Sequence, residues 1–326
     1  MEQVLKKGIT KKQFNAKKFM RDFGLIIIFV AIVLVLCVVS PTFRMPRNLM
    51  NVWKQAAVNG ILAMGMMIVV ITGGIDLSMG SIVGVAGVCA AMFAHPGEYP
   101  LIVPIIVALL AGGVIGLCNG IGVSYGGLPP FIITLGTMSV GRGLALVLSG
   151  GNPVINLSEG FINIATGSFC GIPLLSYYLI GVVLIIAFVL NQTVFGRHVY
   201  LIGGNATAAR VSGINVKHNL IGVYTISGIL AGLGGALMAS RTNQGAPTAG
   251  QSYEMDAVTA VVIGGVSMSG GSGKWYGVLI GALMLAVIEN GLTIFSVDPN
   301  WKQIVKGAII IIAVLMDVKS KGRKEG

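Results

Sequence analysis

The sequence is poor in charge. Only 10% of its 326 residues are Asp, Glu, Lys or Arg, whereas 55% are hydrophobic. A soluble domain carries about 25% charged residues, because its surface must be hydrated. The composition therefore excludes a soluble enzyme, and it indicates a protein whose solvent is the lipid bilayer.

Cysteine is also scarce. The four residues, Cys37, Cys89, Cys118 and Cys170, form no CxxC pair and no Cys/His cluster with metal-ligand spacing. Neither a disulfide framework nor a metal site is expected, and we interpret these cysteines as small packing residues. The 48 glycines show no three-residue period, which excludes a collagen-like chain.

Apolar segments long enough to cross the hydrocarbon core as helices, which takes about 20 residues, recur along the whole chain. They predict an all-α polytopic membrane protein with about ten transmembrane helices, including broken or short spans. The eighth segment has about 12 residues, so a half-crossing or broken helix is expected there, shielded by protein. The ten segments run approximately over residues 23–40, 56–72, 78–94, 101–123, 130–148, 172–190, 220–240, 257–268, 275–295 and 303–318.

Basic residues are distributed unevenly between the two sides. With the N-terminus in the cytoplasm, inner segments hold 15 Lys and Arg and outer segments five. This bias predicts that both termini are cytoplasmic. The net charge of +11 favours anionic membrane lipid over nucleic acid as a partner. The predicted domains are a basic cytoplasmic segment (1–22), a transmembrane domain (23–318, with a cytoplasmic loop at 191–219) and a basic cytoplasmic tail (319–326).

The cytoplasmic loop contains a short predicted helix. The side-chain oxygen of Asn205 is placed to accept the amide of Thr207 or Ala208, and residues 206–212 favour or tolerate helix. Gly213 is placed as the left-handed residue that ends the helix. So short a helix needs something to pack on. Its alanine-rich surface has few large side chains to bury against its own chain. The segment is therefore either an ordered loop or a small helix that docks into a groove of another protein.

Three stretches together resemble a known family. They are the loop segment from Gly196 through Ile214, the segment TGGIDLS at 72–78 followed by Gly80-Ser81, and AVVIGG at 260–265. The chain is similar, over nearly its whole length, to bacterial ATP-binding-cassette importer permeases of the ribose/galactose/xylose branch, which includes autoinducer permeases. The resemblance implies a plasma-membrane subunit that works as a pair, with a second copy or a close paralogue.

The resemblance also implies partners and site residues. An extracytoplasmic sugar-binding protein delivers the substrate, and a separate cytoplasmic ATPase binds ATP and magnesium, so this chain binds no cofactor itself. The short helix docks on that ATPase. The residues assigned to this coupling are Gly203, Gly204, Asn205, Ala208, Ala209, Ser212, Gly213 and Ile214.

The sequence also lacks the motif of a common type of ATP-binding site. A phosphate-binding loop needs GxxxxGK[ST], whose amides cradle phosphate and whose hydroxyl holds magnesium. Here Gly273-Lys274 is followed by Trp275, and Met268 occupies the position of the first glycine. No nucleotide site of this type is expected in the chain.

Polar residues inside apolar segments are candidates for function, because polar groups are costly in hydrocarbon. Asp76 either caps the third span or takes part in translocation or ion binding. Glu289 and Asn290 either line a pathway or bond between helices, and the same alternatives hold for the remaining residues. The full set is Asp76, Ser78, Asn119, Thr134, Thr137, Glu289 and Asn290.

Glycines mark two further features. Gly112, Gly116 and Gly120 predict a close helix contact at four-residue spacing. The segment around residues 69–81 is weakly echoed around 261–272, either by chance or because the chain contains structural repeats. Two glycine-interrupted segments also fit an ion-coupled secondary sugar transporter, with Asp76 or Glu289 as the ion site. The coupling-loop pattern favours the importer permease over this alternative.

Overall fold

The computed structural model describes residues 16–322, which form thirteen helices and one short hairpin. The helices are α1 (Ala16–Val39), α2 (Pro46–Ile71), α3 (Met79–Met92), α4 (Ile102–Ser124), α5 (Pro130–Ser149), α6 (Glu159–Thr166), α7 (Leu174–Gln192), α8 (Val194–Gly204), α9 (Ala206–Val211), α10 (Val216–Thr242), α11 (Tyr253–Ile263), α12 (Trp275–Ile294) and α13 (Pro299–Gly322). The antiparallel strands are β1 (Ser168–Phe169) and β2 (Ile172–Pro173).

Each of the ten predicted segments overlaps a helix. Within the described part of the chain, six helices are long and apolar enough to cross a membrane, namely α2, α4, α5, α7, α10 and α12. The eighth segment is the short helix α11, as expected, with 11 residues that are largely buried. The chain is therefore a mostly helical, multi-pass protein. Residues 1–15 and 323–326, which belong to the predicted basic segment and tail, lie outside the described residues.

Three elements differ from the predictions. The hairpin of β1 and β2 interrupts the all-α pattern, because Cys170 and Gly171 both take positive φ angles (49° and 76°) and reverse the chain. Helices α6 and α8 were not predicted, and each starts at a side-chain cap. The hydroxyl of Ser158 accepts the amide of Phe161, and that of Thr193 accepts the amide of Gly196. Side-chain caps therefore stabilise α6 and α8, although neither segment contains a long apolar run.

Helix α2 lies at the centre of the bundle. It is longer than predicted, because Pro46 begins it at a position where proline loses no hydrogen bond. In an apolar stretch of 18 residues within α2, 89% of the residues are buried, whereas the corresponding stretch of α5 has only 17% of its residues buried. A helix that is apolar on all sides must be surrounded, and α2 packs against α7, α10, α11 and α12.

Helices α4 and α10 are in backbone contact. A Cβ atom on Gly112 would overlap the carbonyl oxygen of Gly228, and one on Gly228 would overlap that of Gly112. Gly116 and Gly120 are held as closely against Tyr224 and Ile221 of α10. The predicted close contact at four-residue spacing is confirmed, and glycine is required there because any side chain would separate the helices.

Helix α10 defines the two ends of the bundle. Its 27 residues make it about 40 Å long at 1.5 Å per residue. Its first residue follows α9, and its last residue leads into the loop 243–252. We call the first end the α9 end and the opposite end the distal end. The α9 end also holds the turns that follow α2 and α11.

Candidate functional site

Helix α9 has the predicted local structure. The Oδ1 atom of Asn205 accepts a hydrogen bond from the amide of Ala208 at 2.9 Å. At the other end Gly213 has a φ of +84°, and the amide of Ile214 donates to the carbonyl of Ala209 at 3.1 Å. The helix is slightly shorter than expected, because Ser212 occupies the C-cap position. A side-chain cap and a left-handed glycine thus hold a helix of only six residues.

The two faces of α9 differ. Ala208 is exposed, and Val211 is 85% exposed. Ala209 is only 4% exposed and packs with Ile202 of α8 and Val216 of α10, with Ile214 against the same cluster. The expectation that α9 buries little in its own chain is borne out, because Ala209 is the one buried residue among the six of the helix. Ala209 and Ile214 attach the helix, and the face with Ala208 remains open.

The end of α8 meets two loops through backbone atoms. Gly203 lies so close to Ile71, the last residue of α2, that a Cβ atom would overlap the Ile71 carbonyl oxygen. The same oxygen accepts a hydrogen bond from the amide of Gly271 at 2.8 Å. We call Gly203, Ile71 and Gly271 the glycine junction. The neighbouring Gly204 has open space where its Cβ would lie.

The glycine junction brings together the two segments that echo each other in the sequence. A Cβ atom on Gly270 would lie 3.0 Å from the backbone nitrogen of Gly73, and both glycines have positive φ. Helices α3 and α11 have 14 and 11 residues, so they extend only about 21 and 16 Å. Both lengths fall short of the roughly 30 Å of a bilayer core, so neither helix is long enough to cross it alone.

Asp76 is fully buried beside the α9 end. Its Oδ1 accepts the amide of Ser78 at 3.1 Å and the hydroxyl of Ser78 at 2.5 Å. Its Oδ2 accepts the hydroxyl of Ser227 of α10 at 2.8 Å, and the side-chain amide of Asn119 of α4 donates to the Ser78 hydroxyl at 2.8 Å. We call these four residues the Asp76 cluster. Helix α3 begins at Met79 with Ser78 in the N-cap position, so of the two alternatives for Asp76 the role of N-cap residue is taken by Ser78. Asp76 instead holds the preceding turn against α10.

The two threonines of α5 behave differently. The hydroxyl of Thr134 donates to the carbonyls of Pro130, at 2.8 Å, and Ile75, at 3.2 Å, so it fastens α5 to the turn that contains Asp76. Thr137 is half-buried about one turn further along α5 and makes no hydrogen bond to the described residues of the cluster. The structure thus brings Asp76, Ser78, Asn119 and Thr134 together and leaves Thr137 apart.

A second polar cluster lies at the distal end. Lys306 of α13 forms ion pairs with Asp256 of α11, at 2.7 Å, and with Glu289 of α12. The side-chain amide of Gln55 donates to Glu289 at 2.5 Å. These groups border a cavity of about 370 Å³, which we call the distal cavity. Its wall consists of Gln55, Asn59, Gln251, Ser252, Tyr253, Asp256, Glu289, Pro299, Lys302, Gln303 and Lys306.

Asn290 has a packing role beside this cavity. Its side-chain amide and that of Asn48 of α2 donate to each other's oxygens, both at 2.9 Å. The alternative in which Glu289 and Asn290 bond between helices is therefore seen for both residues. Only Glu289 also faces a cavity.

Three charged residues with clear contacts were not among the predicted site residues. Besides Asp256 and Lys306, the guanidinium of Arg142 in α5 donates to the carbonyls of Ala249, at 2.6 Å, and Gly250, at 2.8 Å. All three lie within or beside apolar segments of the sequence. That position is the signal that could have singled them out, because charge near the membrane interior has a partner or a function.

Comparison with known proteins identifies the family. The family model described as "Branched-chain amino acid transport system / permease component" matches residues 48–314. The ribose import permease protein RbsC of Bacillus subtilis is 40% identical over 311 residues, which are 95% of this chain and 96% of that protein. The comparison with solved structures gave no match.

Two further relatives have similar coverage. The D-allose transport system permease protein AlsC of Escherichia coli is 36% identical, over 97% of both chains. The galactose/methyl galactoside import permease protein MglC of Salmonella typhimurium is 37% identical, over 98% of this chain and 99% of that protein. The chain therefore belongs to this family of bacterial multi-pass membrane permeases, which are transport components of ATP-binding-cassette importers and not enzymes.

Proposed function

We propose that the chain is the membrane-spanning subunit of an importer for a neutral monosaccharide and that it works as a pair with a second copy or a close paralogue. An extracytoplasmic binding protein delivers the sugar, and a separate cytoplasmic subunit binds ATP and magnesium and hydrolyses the ATP. The observation that carries this proposal is α9, a capped helix that is attached by one face and open on the other.

The proposed topology has ten spans with both termini in the cytoplasm. Helices α1, α3, α11 and α13 join the six long apolar helices, and the short spans α3 and α11 are covered by neighbouring helices. The 15-to-5 distribution of basic residues supports this orientation. It places the α9 end in the cytoplasm, where the ATPase is, and the distal end on the side of the binding protein.

Helix α9 is proposed to enter a groove of the ATPase. Its open face carries Ala208, whose small side chain allows close approach of another surface. The caps at Asn205 and Gly213 hold its shape, and Ala209 and Ile214 fix it to α8 and α10. Gly203 would then transmit its movement to the turns after α2 and α11 through the glycine junction.

The proposed substrate class follows from the named relatives. They are described as permeases for ribose, D-allose and galactose or methyl galactoside, which are neutral sugars with several hydroxyl groups. Uptake of each labelled sugar by cells that express the chain with its binding protein and ATPase identifies the substrate.

The test of the docking role is Ala208→Arg, which adds bulk and charge to the open face of α9. We expect normal insertion in the membrane but loss of sugar uptake, of ATPase stimulation and of co-purification with the ATPase. Ser168→Arg makes a comparable change at an exposed position of the hairpin and serves as the control. Normal uptake by Ala208→Arg would contradict the docking role.

The energy source tests the class of transporter. Inactivation of the partner ATPase should abolish uptake, and a protonophore should leave uptake intact as long as ATP is maintained. Uptake that needs no ATPase and stops with the protonophore would instead establish an ion-coupled transporter.

A further inference from the structure

The distal cavity has the features of a ligand site. It opens beside the ends of α2, α11, α12 and α13 and measures about 370 Å³, a size that accommodates a small molecule. We propose that it is a sugar-binding subsite, which receives a neutral monosaccharide as the sugar leaves the binding protein. This inference rests on the proposed function.

The charges at the cavity balance one another. Asp256 and Glu289 contribute two carboxylates, and Lys306 and Lys302 contribute two ammonium groups. Lys306 bridges both carboxylates, and the ammonium of Lys302 donates to the hydroxyl of Thr293 at 2.9 Å. A site without net charge favours a neutral polar ligand over an anion or a cation, because an ionic ligand would leave its own charge uncompensated.

Asn59 supplies a group that the protein leaves without a partner. Its side chain lies on α2 at the wall of the cavity, and the residue is only 4% exposed. Among the described residues no side chain or backbone group makes a hydrogen bond to the side-chain amide of Asn59. Because the side chain borders the cavity, its amide is open to water or to a ligand there. A ligand hydroxyl in the cavity would satisfy it, since the amide both donates and accepts.

The remaining wall suits a sugar in particular. Gln55, Gln251 and Gln303 add further amides, and a monosaccharide presents hydroxyls that both donate and accept. Tyr253 places an aromatic ring at the same wall, against which the C–H face of a sugar can pack. A lipid chain would leave these amides and charges without partners.

The experiment measures sugar binding to the full-length purified chain in lipid nanodiscs, without ATPase or binding protein. Labelled D-ribose, D-allose and D-galactose are the probes. We expect saturable binding of at least one of them to the wild-type chain. Asn59→Leu should weaken that binding about threefold to tenfold, which corresponds to one lost hydrogen bond to a buried amide.

A second variant guards against misfolding. Gln303→Leu changes an exposed residue of the cavity wall and should also weaken binding, while Gln192→Leu, the same change at an exposed position at the end of α7, should not. The thermal midpoint of unfolding of all three variants is measured in the same nanodiscs. Both cavity variants should also lower sugar uptake.

The outcomes separate this proposal from the proposed function. No saturable binding to the wild-type chain would overturn the subsite. Binding that neither cavity variant weakens would overturn it too, because the sugar would then bind elsewhere. Either result leaves the ATPase dependence of uptake untouched. Conversely, uptake that does not depend on the ATPase would contradict the importer, even where the purified chain binds sugar.

Discussion

The Asp76 cluster and the distal cavity both place carboxylates inside an apolar bundle, but they satisfy them differently. At the α9 end both carboxylate oxygens of Asp76 accept hydrogen bonds, one from Ser78 in the same turn and the other from Ser227 of α10, and every member of the cluster is fully buried. At the distal end two carboxylates share one lysine beside a cavity, and the side-chain amide of Asn59, which makes no hydrogen bond to the described residues, borders that cavity. Polar groups that the chain satisfies hold helices together, whereas a polar group left open at a cavity is available to a ligand.

The largest effect is expected at the glycine junction. Gly203→Ala puts a methyl group onto the Ile71 carbonyl, so α8 or the turn after α2 must move, at a cost of about 3 kcal/mol. We expect uptake to be lost. Gly204→Ala is the matched control, because its Cβ meets open space. Uptake and the thermal midpoint of unfolding are measured for both. Equal behaviour of the two variants would show that the α9 end is not tightly packed.

The next effect concerns the charges of the distal cavity. Lys306→Met removes the shared cation and leaves Asp256 and Glu289 facing each other without compensation. The side chain of Lys306 is 21% exposed, so solvent reduces the cost below that of a fully buried pair, to about 2 kcal/mol. Thermal unfolding in nanodiscs measures the loss. The double variant Lys306→Met with Glu289→Gln should recover part of it, and no recovery would mean that the ion pairs contribute little.

A smaller effect is expected in α9. Asn205→Ala removes the side-chain cap on the amide of Ala208 and should destabilise the helix by about 1 kcal/mol. Asn205→Ser keeps a capping oxygen and is the control. Hydrogen exchange of the amides at 207–211 should be faster in the alanine variant only. Unchanged exchange would show that the attachment through Ala209 suffices to hold α9.

The smallest effect is expected at Asp76. Asp76→Asn keeps an oxygen for the amide and hydroxyl of Ser78, and the hydroxyl of Ser227 can turn to accept from the new amide. The change in stability should stay within about 0.5 kcal/mol, and uptake should persist. If the Asp76 cluster instead works as an ion site, Asp76→Asn abolishes uptake, because asparagine cannot titrate. The thermal midpoint and the uptake rate separate the two roles.

Local signals allowed α9 to be predicted closely. A capping asparagine and a glycine at the helix end act within a few residues, so the sequence carries them directly. The apolar segments were equally readable, because membrane helices need long runs without charge. Helices α6 and α8 escaped prediction, since a hydroxyl cap without a long apolar run is a weak pattern.

Contacts between distant segments could not be predicted in the same way. Asp76 and Ser227 are 151 positions apart, and Asp256 and Lys306 are 50 apart, so only the packing of α10 and α13 reveals these pairs. The distal cavity depends on four helices at once. The spacing of the glycines at 112, 116 and 120 predicted a close helix contact, but it did not indicate that α10 is the partner helix.

The length of α10 has a mechanical consequence. The helix runs without a break from α9 to the loop that contains Gln251 and Ser252 of the distal cavity, and the contact of Gly112 with Gly228 fastens it to α4. Because their backbones are in contact, we expect the two helices to move together as one stiff unit. Over about 40 Å, a tilt of about 5° at one end displaces the other by about 3.5 Å. If a partner rotates α9 and α10 follows, even this small tilt would displace the opposite face by more than the length of a hydrogen bond.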